Sequence, residues 1–214
     1  MLQKMLRVVL SLAAFILGVC NAQMIRQCTC QEMQPCSKYS SDIFFECGNR
    51  CQQHTSSLKV DFNTAKQCFE QIHGAMDAAV NCFSRSFGEA CATGAPQQVQ
   101  KRYLETLKIA LANRFNSVLD RSGVRSELMN IFSAGQKFSN CQLKCLDRTA
   151  GYACVAKLGC GLALPPDNEL VERMLQCSIQ SGINTQSMQQ LCHCLARTGS
   201  YSHLEYVCDK LVIS

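Results

Sequence analysis

Seventeen cysteines in 214 residues constrain this chain more than any other feature. The odd count is accounted for first. Residues 1–22 read as a secretory signal peptide. Lys4 and Arg7 form its basic start, residues 8–19 its apolar run, and Cys20-Asn21-Ala22 the small-residue cleavage site. The run is too short for a membrane span, which needs roughly 20 apolar residues. Cleavage after Ala22 removes Cys20 and leaves an even set of sixteen. In an oxidising compartment an even set implies a bridge framework of up to eight disulfides.

The sixteen fall into two groups of eight. The first is Cys28, Cys30, Cys36, Cys47, Cys51, Cys68, Cys82 and Cys91. The second is Cys141, Cys145, Cys154, Cys160, Cys177, Cys192, Cys194 and Cys208. This partition predicts two self-contained, eight-cysteine helical units at 23–91 and 140–214. A Cys-free basic helical connector, 92–139, lies between them.

Apolar residues are 47% of the chain and charged residues 17%, which excludes an intrinsically disordered chain. The periodicity is helical almost throughout, so the fold class expected is all-α, a disulfide-stabilised helical bundle. Asp61 is placed to cap one long helix carrying Phe62, Phe69, Met76, Phe83 and Phe87. Pro96 suits a first helical turn, and Leu107, Leu111, Val118 and Leu119 continue the rhythm to Gly123. Ser126 starts a further helix with Leu128, Ile131 and Phe132 as its apolar face. Asp167 and Thr185 are the expected caps of the next two, and Ser202 with Glu205 reads as a capping box. Cys47 and Cys51, like Cys141 and Cys145, are four apart. On a helix each pair faces one side, where it can be tied to a neighbouring helix.

The chemistry-bearing residues point away from catalysis, cofactors and metals. The histidines His54, His73, His193 and His203 form no His-Asp pair and lie near no G-x-S-x-G elbow. Cys192-His193-Cys194 resembles a metal-ligand cluster, yet structural zinc sites need well-spaced ligand pairs, and an even cysteine set favours bridges. No cofactor motif occurs. The formal charge of +5 falls to +3 without Lys4 and Arg7, too little to argue for nucleic acid. Residues 97–148 carry nine Lys/Arg against four Asp/Glu, a stretch able to meet an acidic glycan or another extracellular protein. Lys101, Arg102, Lys108, Arg114 and Arg121 do not share one helical stripe, however, which favours an ordinary solvated face. Ser122 and Ser181 precede glycines and are minimal glycosaminoglycan acceptors, although Gly after Ser also ends helices.

The order of cysteines over 140–213 carries a family resemblance. It runs NCQLKCLDRTAGYACVAKLGC, then CGLALPPDNELVERMLQC, then LCHCLARTGSYSHLEYVC. This series of C-x3-C, C-x5-C, C-x16-C, C-x-C and a final Cys resembles the nematode chondroitin proteoglycan 4 domain family. The resemblance implies a secreted, cysteine-rich protein of an extracellular matrix or egg coat. The chain lacks the Ser-Gly-rich segment that carries chondroitin in the member that names the family.

The function expected from sequence is therefore a secreted, non-enzymatic structural or interaction protein. The alternative is a carrier of a small hydrophobic ligand or lipid, because bridged helices can hold a void open between them.

Overall fold

The computed structural model describes residues 23–36, 40–149, 151–199 and 201–213. The expected signal segment, with Cys20, lies outside the described residues. The rest is all-α with a single two-stranded ribbon. In chain order the elements are β1 (Met24–Arg26), α1 (Cys30–Met33), α2 (Asp42–Cys51), α3 (Phe62–Glu70), α4 (His73–Gly88) and β2 (Gln98–Gln100). Then come α5 (Leu104–Ser122), α6 (Arg125–Thr149), α7 (Gly151–Leu158), α8 (Asp167–Gln180), α9 (Thr185–Ala196) and α10 (Glu205–Cys208). No described helix is long and apolar enough to cross a membrane.

All sixteen cysteines pair, but not as two closed sets. Cys30–Cys91 and Cys192–Cys208 stay within their groups. Cys28–Cys160, Cys36–Cys154, Cys47–Cys145, Cys51–Cys141, Cys68–Cys194 and Cys82–Cys177 each join the first group to the second. The bridge framework is therefore one network, and the expectation of two self-contained units is corrected. The reason is the chain's path: α6 runs unbroken through the expected boundary at 140 and brings Cys141 and Cys145 back along α2. Cys47 and Cys51 lie one turn apart on α2, and Cys145 and Cys141 one turn apart on α6. The two C-x3-C pairs thus clamp each other in antiparallel order.

The C-x-C on α9 works differently. Residues two apart on a helix point roughly 200° apart. Cys192 accordingly reaches Cys208 of α10, while Cys194 reaches Cys68 of α3.

Several local expectations change. The long helix from Asp61 is two helices, broken at Gln71 and Ile72, where Ile72 N–H bonds to the Phe69 carbonyl instead of continuing the α register. The break lets Cys68 reach α9 and Cys82 reach α8. Asp61 does cap α3, accepting from the Thr64 amide at 2.8 Å. Pro96 starts no helix. Residues 98–100 are extended and pair antiparallel with β1, Ile25 opposite Val99, and α5 begins at Leu104. Gly123, at φ 64°, ends α5 as expected. Pro166 is the cap residue of α8, with Asp167 in its first turn. Asn184 caps α9 in place of Thr185, in a reciprocal pair with Ser187. Ser202 forms no capping box with Glu205: residues 202–204 are a 3-10 turn, and Glu205 turns to Arg197.

The buried apolar residues form two small clusters. One small core gathers Cys28, Met33, Cys36, Cys91, Cys160 and Leu162; the other gathers Leu119, Val124 and Val207. Apart from Val124 and Val207, the largest fully buried side chains are bridged cysteines, and none of the described phenylalanines is buried. Aromatic residues normally supply much of a core's buried area. Here they face something else.

Candidate functional site

The apolar faces of several helices do not close on one another. They surround a cavity of about 690 Å³. Its wall comes from Phe62 and Phe69 of α3, Leu111, Phe115 and Val118 of α5, and Ile131, Phe132 and Phe138 of α6. Val171, Met174 and Leu175 of α8 and Met188, Leu191 and Leu195 of α9 complete it, with Phe44 and Phe45 of α2 at one side. On α5 and α9 the spacing is three or four residues, the stripe by which an amphipathic helix faces a core. The stripes are those of a bundle core, but the helices are held too far apart to fill it.

Bridges and C-terminal hydrogen bonds fix the elements around the cavity. Cys68–Cys194 and Cys82–Cys177 tie α3 to α9 and α4 to α8. The C-terminal segment contributes Leu204, Leu211 and Ile213 to the lining. It is fastened by Val212 N–H to Ser122 Oγ at 2.9 Å, Ile213 N–H to Thr185 Oγ1 at 3.0 Å, and Gln189 Nε2 to the Leu211 carbonyl at 3.0 Å.

The cavity is open to solvent along α5 and α6. Leu111, Phe115 and Phe132 line it, yet are 36%, 48% and 38% exposed. Among the described residues the lining carries two cations, Lys66 and Arg114, and no carboxylate. Lys66 lies 3.8 Å from Glu70, one turn along its own helix. Arg114 Nε lies 3.1 Å from Glu172 Oε1 of α8 without hydrogen-bond geometry.

The residues singled out by sequence are distributed elsewhere. Cys192 and Cys194 are both in disulfides, so neither offers a thiolate to a metal. His193, between them, points away to Glu205 Oε1 at 3.2 Å and Asp209 Oδ1 at 2.8 Å. Arg197, first, and His193 hold the Glu205 carboxyl below its ordinary pKa. The cluster fastens α10 to α9. His73 packs edge-on to Phe45 and lies 3.2 Å from Asp42 and 3.5 Å from Asp77. Asp77, lowered in pKa chiefly by Ser41, also accepts the Ser41 amide at 3.1 Å. Ser41 is 2% exposed, so a substrate carbonyl cannot reach its hydroxyl. No nucleophile–base pair is assembled there.

Part of the basic middle is paired with carboxylates. Lys108 pairs with Asp147 at 2.6 Å, Arg125 with Asp120 at 2.8 Å, and Arg102 donates to the Leu164 carbonyl beside Asp167. Ser122 is buried and accepts from Val212, which is a structural employment and argues against glycan attachment. Ser181 ends α8, its amide donating to the Cys177 carbonyl, and its side chain is half-buried.

Sequence reasoning foresaw a void as one option but not its walls. Phe44, Phe45 and Phe138 carry no pattern that separates a cavity wall from a core. Arg114 stood only as one of several scattered cations. Comparison with protein-family models, curated proteins and solved structures finds no match to this chain.

Proposed function

We propose that the protein is a secreted carrier of a small hydrophobic ligand, held in the cavity between α3, α5, α6, α8 and α9. The observation that supports this reading is the cavity itself. Its volume of about 690 Å³ falls within the usual span of ligand pockets, about 300–1,000 Å³. Its lining is apolar apart from a few groups. Apolar wall left facing solvent forgoes about 25 cal/mol for each Å² that burial would gain. An apolar guest recovers much of that. Eight bridges meanwhile destabilise the unfolded chain enough to tolerate a hollow interior. They also suit an extracellular setting, where disulfides persist.

The matrix or interaction role implied by the cysteine order has that order alone behind it, and the cavity outranks it. The carrier reading assigns no reaction to the protein. Native mass spectrometry of the purified protein, followed by solvent extraction, tests the reading. A retained apolar small molecule is the expected result. Thermal melts supply the second test. Oleyl alcohol at a hundred times its Kd stabilises by about 2.7 kcal/mol, which for a chain of this size raises Tm by roughly 5–10 °C. A protein that co-purifies with nothing and melts at the same temperature with and without the alcohol is not a carrier.

A further inference from the structure

Resting on the carrier reading, we infer that the ligand is an anionic single-chain amphiphile of the fatty-acid class, with its carboxylate held by Arg114 at the cavity mouth. Three observations converge on this residue. First, among the described residues the lining holds cations and no carboxylate, so its charge is complementary to an acid and to nothing basic. Secondly, Arg114 lies on α5 between Leu111 and Phe115, the two residues of that helix that are both exposed and part of the lining. A head group there stays partly hydrated while its tail runs inward along apolar side chains.

Thirdly, the guanidinium is under-used. Among the described residues its single polar partner is Glu172, and that contact lacks hydrogen-bond geometry. Arginine presents five N–H donors in a planar fork suited to bidentate carboxylate binding. The Glu172 side chain is 54% exposed, against 25% for Arg114. It can turn into water when a ligand carboxylate takes its place, so the exchange strands no buried charge. Lys66 is a weaker anchor. Its point charge lacks the fork.

Displacement of the neutral dye N-phenyl-1-naphthylamine by oleate, oleyl alcohol and oleylamine tests the inference on the wild-type protein. These ligands share a chain and differ in head group. Oleate should displace the dye at about one-tenth the concentration of the alcohol, as expected for one charge-assisted bidentate contact, and oleylamine should be the weakest. In R114Q the oleate preference over the alcohol should shrink to within about twofold, with an unchanged far-UV circular dichroism spectrum as the check that the variant folds. In E172Q, where the competing carboxylate is gone, oleate should bind more tightly. Equal displacement by all three ligands, a preference that survives R114Q, or weaker oleate binding in E172Q would overturn the assignment and leave the carrier reading standing. Displacement by none of the three would sink both.

Discussion

Phe115 of α5 and Phe132 of α6 meet edge to face with ring centroids 5.2 Å apart, on the rim of the cavity. A T-shaped aromatic pair contributes about 0.5–1.5 kcal/mol beyond area burial. This pair joins the two helices at the place where the interior meets water. It is therefore the position most sensitive to occupancy.

The chain contains no Trp, so Phe132→Trp introduces a single reporter at that rim. Trp keeps a ring for Phe115 to meet, and the change in stability should stay within the roughly 0.5–1.5 kcal/mol of the aromatic pair. On titration with oleyl alcohol the emission should move to the blue and saturate. Emission that ignores the ligand, in a protein that binds it by mass spectrometry, would place the mouth elsewhere.

The double clamp of α2 on α6 predicts a large, separable stability term. Replacing Cys51 and Cys141 together by Ser removes one bridge and leaves Cys47–Cys145 to hold the same helix pair. The loss should be about 2–4 kcal/mol in denaturant unfolding. The topology has a simpler signature as well. Cutting the chain once between Cys91 and Cys141 should leave both halves in one band on a non-reducing gel, because six bridges cross the cut, and release them only with reductant. Two bands without reductant would mean a different connectivity.

Asp61 stabilises α3 through its first turn, accepting the Thr64 amide at 2.8 Å and the Thr64 hydroxyl at 2.6 Å. Asp61→Ala should destabilise the protein by about 1 kcal/mol. Asp61→Asn retains an acceptor and should recover most of it. A loss well above 2 kcal/mol, measured by the same unfolding curve, would show that the residue does more than cap.

The cap at Asp61 was legible because Asp before a three-to-four apolar stripe has one common use. The i,i+4 cysteine pairs were legible for the same kind of reason: helical spacing alone puts both sulfurs on one face. Which face meets which is a property of the chain's path, and nothing in the spacing of Cys47 and Cys51 names Cys145 and Cys141 as partners. The same limit hid the walls of the cavity. Leu111, Val118, Leu191 and Leu195 obey one periodicity whether they touch each other or surround a void. Short elements were lost differently. Three residues of Met24–Arg26 and three of Gln98–Gln100 are too few to show alternation, so Pro96 looked like a helix start. Thr29 and Glu32, a reciprocal cap on α1, did carry the T-x-x-E signature and could have been found.

Gly199 follows α9 and occupies a demanding place in the fold. It bridges antiparallel to Val60, and a Cβ there would sit 2.6 Å from the Lys59 carbonyl oxygen and 3.2 Å from Val60 Cα. Both neighbours are backbone, so neither can swing away. Gly199→Ala should destabilise by about 1–3 kcal/mol, the usual range for overpacking. Thermal unfolding of the variant checks it, and an unchanged midpoint would mean that the bridge between residues 60 and 199 is dispensable.

Acid should weaken the amino-terminal end through Glu32. Its carboxylate accepts from Arg26 Nη1 and Nη2, both at 2.8 Å, and from the Thr29 amide at 2.8 Å. Arg26 first, then Thr29, lowers its pKa to about 2. In the unfolded chain the same group titrates near the ordinary value of about 4.3. A carboxyl depressed on folding binds fewer protons in the native state, so its contribution is complete above about pH 4.3 and is lost as the pH falls through about 2. The stability difference between the wild-type protein and Glu32→Gln, followed by denaturant unfolding from pH 7 to pH 2, should therefore be constant down to about pH 5. It should then shrink towards the acid end. A difference that stays flat to pH 2 would show that the glutamate acts through its shape and hydrogen bonds and not through its charge.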